Sequence, residues 1–158
     1  MPYAMTTKVD NMTSLQRMAR YILLANGFLM MLYGVVVIVQ PDLFTDNLEI
    51  FTGTNMSELS RSHGRLASYI DMIVRLNGAF NVLLGAVGMI ALIHSFRLKK
   101  KWLLWIIILA TILGYLAPIT FDQISGVIRY PEIIEIVVFV FSLVALIIIW
   151  PEFRKKSL

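Results

Sequence analysis

Residues 75–88 read RLNGAFNVLLGAVG, and the spacing of their small and polar side chains decides the fold. Asn77, Asn81, Gly85 and Gly88 fall at i, i+4, i+8 and i+11, which puts them on one face of an α-helix. The remainder of the stretch has the apolarity of a membrane helix. Lipid offers an amide no hydrogen-bond partner, so membrane helices turn polar and small residues toward other helices. Arg75 stands at the head of the same stretch. The pattern predicts a membrane helix buried along one seam, with other helices packed around it.

The whole composition agrees with that reading. Of 158 residues, 58% are hydrophobic, and the mean hydropathy is +0.77. A soluble domain is nearer 45–50% apolar. The length suits one domain, residues 1–158. The chain has no cysteine, which excludes disulfides, thiolate catalysis, Cys-ligated zinc and cysteine-held iron–sulfur clusters.

Four apolar runs, about residues 18–40, 71–94, 102–118 and 131–150, approach the roughly 20 residues a crossing needs. Pro41, Pro118 and Pro151 follow or close three of them, and proline is expected to end or kink a helix there. Residues 1–16 are a polar tail with no small-x-small cleavage site, so the first run reads as an uncleaved span. Residues 41–70 form an outer loop. Within it Asn55 and Glu58 have the spacing of a capping box. Met56, Leu59, His63, Leu66 and Ile70 then recur at helical intervals, with Gly64 a point where the helix can bend. The expected fold is an all-α integral membrane protein. It is a four-transmembrane-helix bundle with an extra amphipathic helix in the first outer loop.

Charge sets the expected orientation. Ten Lys and Arg lie on the side of the termini and the 97–101 turn, against Arg61, Arg65, Arg75 and Arg129 on the other. The positive-inside rule then puts both termini in the cytoplasm. The basic side suits anionic lipid head groups better than nucleic acid.

The first and second spans share a motif: Asn26-Gly27 with Gly34, and Asn77-Gly78 with Gly85. Glycines seven apart lie nearly on one helix face and permit close backbone approach. Ancient duplication would produce this match, as would two helices that each need small residues at a crossing; the shortness of the motif favours the second origin. Gly27, Gly34, Gly78, Gly85 and Gly88 are the candidate packing residues.

The candidate chemistry lies near the outer ends of the spans, where ionisable groups in a membrane are costly and usually paired. Asp71 and Arg75 are i, i+4. Glu135 lies at a depth similar to that of Arg75, so an Arg75–Glu135 pair across the bundle is expected. Together with Asn77, Asn81, Asn26, Tyr115, Asp71 and His63 they outline an outward-facing polar cluster or ligand pocket. His94, beside the basic turn, reads as a helix-end or head-group residue. Glu132-x-x-Glu135 resembles half of a carboxylate metal site, but the Glu-x-x-His pairs of di-iron bundles are missing. Phosphate-loop, nucleophile-elbow and HExxH motifs are absent as well. No catalytic residue and no metal ligand is therefore assigned.

Leu32-Tyr33-Gly34 with Gln40-Pro41, Asn77-Gly78 to Gly85, Gly114 with Asp122 and Gly126, and the Glu132/Glu135 opening of the last span resemble the small four-helix DoxX-like membrane proteins. The likeness is to their DUF4345-type branch especially, over about residues 20–150. The family often carries an Arg after the third-span glycine; here the residue is Tyr115. The resemblance implies a prokaryotic cytoplasmic membrane and small subunits associated with quinone-linked oxidation. The expected function is an accessory or scaffold subunit, or a lipid- or quinone-binding one, in contact with membrane lipids and with other membrane subunits or copies of itself. The sequence requires no cofactor. The alternative is a small membrane enzyme or transporter that uses the Arg/Glu/Asn cluster on an amphiphilic substrate.

Overall fold

The computed structural model describes residues 13–45, 49, 53–98, 100–125 and 130–154. Among these residues all regular structure is helical. The elements are α1 (Ser14–Val39), a 3-10 turn (Pro41–Phe44), α2 (Met56–Ser62), α3 (Gly64–Leu98), α4 (Lys101–Ser125) and α5 (Tyr130–Arg154). Four of them, α1, α3, α4 and α5, are long and apolar enough to cross a membrane, with mean hydropathies of 2.4, 1.9, 2.2 and 3.0 in their most apolar windows.

Local chemistry fixes the helix ends. The Thr13 hydroxyl accepts from the Gln16 amide at 3.2 Å, and the Thr13 amide donates to the Gln16 side chain at 2.9 Å. This reciprocal cap starts α1 ahead of the expected residue 18. At the other end Gln40 leaves helical geometry (φ −129°, ψ 66°) before Pro41. The Asn55 side chain caps α2 by accepting from the Glu58 amide at 2.9 Å.

The amphipathic stretch is divided where one running helix was expected. His63 (φ −141°, ψ 62°) ends α2, and its carbonyl accepts from the Leu66 and Ala67 amides to start α3. Of the expected apolar stripe, Leu59 is buried, whereas His63 and Leu66 are exposed.

Pro151, expected to stop the last span, and Pro118, expected to end or kink the third, both lie inside helices, α5 and α4 respectively. The expected connection from residue 119 is consequently helical through Ser125. Pro118 frees the Gly114 carbonyl one turn back, a loss that a helix packed among others tolerates. Past Pro151, Phe153 is only 3% exposed and meets Phe96 edge-on at 5.5 Å. Burial of that ring holds the extra turn.

α1 packs against α3 and α5, and α4 packs against the same two helices. The pairs α1/α4 and α3/α5 are thus the diagonals of the bundle. The α1/α3 contact is the most extensive. α2 packs mainly on α3. The half nearer the termini has an apolar core to which every long helix contributes, including Leu23, Leu92, Leu104 and Ile149. The far half buries Asn26, Asn81, Thr111 and Tyr115 among glycines.

Candidate functional site

The α1/α3 seam is built on glycine. A Cβ placed on Gly85 would lie 2.6 Å from the Gly27 carbonyl oxygen, and one on Gly78 would lie 2.7 Å from that of Gly34. Only a residue without Cβ permits that approach. The two contacts are reciprocal: exchanging α1 for α3 turns Gly27–Gly85 into Gly78–Gly34. A local two-fold therefore crosses the seam. Gly88 takes a different neighbour, since its Cβ position lies 3.7 Å from Ala110 on α4. The paired motif diverges at its asparagines: Asn26 is buried and Asn77 is exposed.

The expected polar cluster divides into two separate groups. The first is a clamp at the far end of the seam. Arg75 Nε donates to Asp71 Oδ2 at 2.8 Å, and Arg75 Nη1 donates to the Ile38 carbonyl. That carbonyl belongs to the last turn of α1, where helical oxygens have no partner of their own. The two interactions differ in weight. The Asp71–Arg75 pair is 36–45% exposed, and an i, i+4 surface pair of that kind adds little. The bond to Ile38 instead gives a helix-end carbonyl of another helix its partner. The guanidinium thus acts chiefly as a cap for α1 supplied by α3.

Glu135 is not the partner of Arg75, contrary to the sequence expectation. Similar depth was the argument for pairing, but α3 and α5 are diagonal, and Arg75 is taken up by Asp71 on its own helix and by α1. The Ile38 carbonyl of the adjacent helix meets Arg75 instead.

The second group crosses the bundle. Tyr115 of α4 donates its hydroxyl to Asn26 Oδ1 of α1, and its ring packs on Phe139 of α5 at 5.6 Å between centroids. Glu135, half-buried on α5 with its Oε2 buried, interacts electrostatically with Tyr115. Met30 of α1 reaches Gly114 of α4 beside this bond. The remaining expected members stand apart from both groups. Asn81 is buried but donates to the Asn77 carbonyl on its own helix at 3.1 Å. His63 is exposed at the α2/α3 break. Glu132 has no described side chain.

Beside Asn26 the crossing of α1, α3 and α4 leaves a void of about 20 Å³, lined by Gly27, Gly85, Gly88, Ala110 and Thr111 among others. One water needs about 10–15 Å³. A site for a drug-sized ligand or cofactor has about 300–1,000 Å³. Thr111 donates its hydroxyl to the Ile107 carbonyl at 2.8 Å. Among the described residues no group of His, Cys, Asp and Glu is placed to hold a metal ion.

Sequence reasoning missed two partners. The Ile38 carbonyl is backbone and has no residue signature. The Phe96–Phe153 contact lies beyond a proline that was expected to stop the helix. No family model matches the chain, and neither a curated protein nor a solved structure does.

Proposed function

We propose that the protein is a small accessory or scaffold subunit of a membrane assembly, acting through its outer surface rather than through an internal site. The observation that carries this reading is the small size of the void where α1, α3 and α4 cross. Two polar contacts of the far half, Arg75 to the Ile38 carbonyl and Tyr115 to Asn26, join helices, and the void beside Asn26, at about 20 Å³, is too small for a quinone head group or a lipid chain. The long apolar exterior, with Phe28, Phe80, Leu109 and Ile147 all more than half exposed, suits lipid or the helices of another subunit. The charge bias supports cytoplasmic termini. With that orientation α2 and the start of α3 lie at the outer membrane surface. The likeness to DoxX-like proteins supports a prokaryotic cytoplasmic membrane.

The second reading, a small enzyme or transporter for an amphiphilic substrate, draws on one feature. Glu135 is an ionisable group within an apolar helix, and such groups often serve function. Extraction of the full chain in mild detergent, followed by intact-complex mass spectrometry, separates the two. The scaffold reading expects a second protein at fixed stoichiometry. A small amphiphile retained at one per chain, lost on Glu135→Gln, would replace it with the second reading. A monomer with neither would contradict both.

A further inference from the structure

At the end of the seam nearest the termini, cations stand where the fold itself does not neutralise them. Arg17 lies in the first turn of α1, a turn with no acidic residue. The N-terminal end of a helix carries about half a positive charge, so a guanidinium there is electrostatically unfavourable. Arg20 follows one turn later on the same face. Its guanidinium carbon is held 4.7 Å from the centre of the Phe96 ring of α3. Phe96 is buried and is braced in turn by Phe153. Arg97 follows Phe96 in the last turn of α3 and is exposed. Among the described residues none of these three arginines has a carboxylate within ion-pair distance; the Arg75–Asp71 pair lies at the opposite end. Stacking Arg20 on a braced ring fixes its position and leaves its N–H edge to the surroundings. Trp102 and Trp105, each more than half exposed at this same end, mark the level where aromatic side chains meet head groups.

We infer that Arg17, Arg20 and Arg97 form a binding site for the phosphate of an anionic phospholipid at the termini end of the α1/α3 seam. Guanidinium forks match phosphate oxygens in bidentate fashion. An anionic glycerophosphate brings the net negative charge that the α1 terminus lacks. A zwitterionic lipid carries its own cation and supplies much less. The inference rests on the chain lying in a bilayer, and it stands or falls separately from the presence of a protein partner.

The test uses the full chain in an uncharged detergent. Binding of phosphatidylglycerol and of phosphatidylcholine is measured by intact-complex mass spectrometry, with tryptophan-detected unfolding as a second readout. The wild type is expected to prefer phosphatidylglycerol at least about tenfold. Each arginine at a membrane surface contributes about fivefold. The R17Q/R20Q variant therefore loses about thirtyfold in phosphatidylglycerol affinity while phosphatidylcholine binding is unchanged. R17Q alone, an exposed change that disturbs no packing, loses about fivefold and carries the test if the double variant does not fold. The comparison variant R61Q/R65Q removes the same charge from the other end and stays within about twofold of wild type. Equal losses in both double variants would overturn the site in favour of diffuse charge. Undiminished phosphatidylglycerol binding by R17Q and R17Q/R20Q would overturn it outright. Competition by millimolar inorganic phosphate would reassign the site to the free anion.

Discussion

The two halves of the bundle are held by different means. Toward the termini, side chains of all the long helices interdigitate: Leu92, Leu104 and Ile149 are each at most 1% exposed, and Phe96 meets Phe153 edge-on. In the far half, backbones touch through Gly34 and Gly78, a tyrosine reaches an asparagine across the diagonal, and an arginine of one helix caps another. In a bilayer, where the proposed function places the chain, both devices are needed. Lipid is as apolar as leucine, so apolar contact between membrane helices gains little beyond shape and dispersion. Such packing holds helices together without fixing their rotation or depth. Glycine contacts and directed hydrogen bonds do fix them, since each works at one register only.

That difference sets the order of expected effects. Gly34→Ala and Gly78→Ala should be the most damaging. Each new Cβ meets backbone of the opposing helix, which cannot step aside as a side chain can, and overpacking of this kind costs about 1–3 kcal/mol. Unfolding in mixed micelles measures it. Gly88→Ala is the internal control. Its Cβ would make an ordinary 3.7 Å contact with Ala110, so the change should be neutral, or stabilising by a fraction of the roughly 1 kcal/mol that separates Gly from Ala in helices. If Gly88→Ala were as damaging as Gly78→Ala, glycine would matter for a reason other than close approach.

Next comes the apolar half. Leu104→Ala should destabilise by about 2 kcal/mol, at the low end of the range for aqueous proteins. The unfolded helices remain in lipid, so the cavity is felt more than the transfer. A loss near 5 kcal/mol would mean that this half is held by water exclusion, as in a soluble domain.

The clamp ranks third and separates its two components. Arg75→Met should destabilise measurably, though less than Leu104→Ala, by orphaning the Ile38 carbonyl, whereas Asp71→Asn should have little effect. Equal losses would move the weight from the helix cap to the ion pair.

Much of this architecture was legible in the sequence, and the illegible parts share a cause. Long apolar runs declare four spans because crossing length is a property of the chain alone. Glycines seven apart point to a close crossing because close approach demands the missing Cβ. The Thr13/Gln16 cap, a T-x-x-Q pattern at the end of the polar tail, was a local signal that the sequence reading passed over. What could not be read were contacts that depend on which helices are neighbours. Tyr115 and Asn26 are 89 residues apart, and nothing local pairs them. Glu135 looked like the counterpart of Arg75 because depth can be counted along a chain and the arrangement of helices around a bundle cannot. Pro118 and Pro151 misled for a related reason: proline ends a helix by its own chemistry, and tertiary burial, as at Phe153, overrides it.

The claim at the centre of this account is that buried polar residues of the far half fasten helices to one another. A double-mutant cycle on Asn26→Leu and Tyr115→Phe tests it most directly, with the free energy of unfolding in mixed micelles as the readout. Interhelical hydrogen bonds in membranes average about 0.6 kcal/mol and reach about 1.7 kcal/mol. The buried Tyr115–Asn26 bond, which joins a diagonal of the bundle, is expected in the upper part of that range, at a coupling of about 1 kcal/mol or more. Losses that simply add, to within about 0.3 kcal/mol, would contradict the claim.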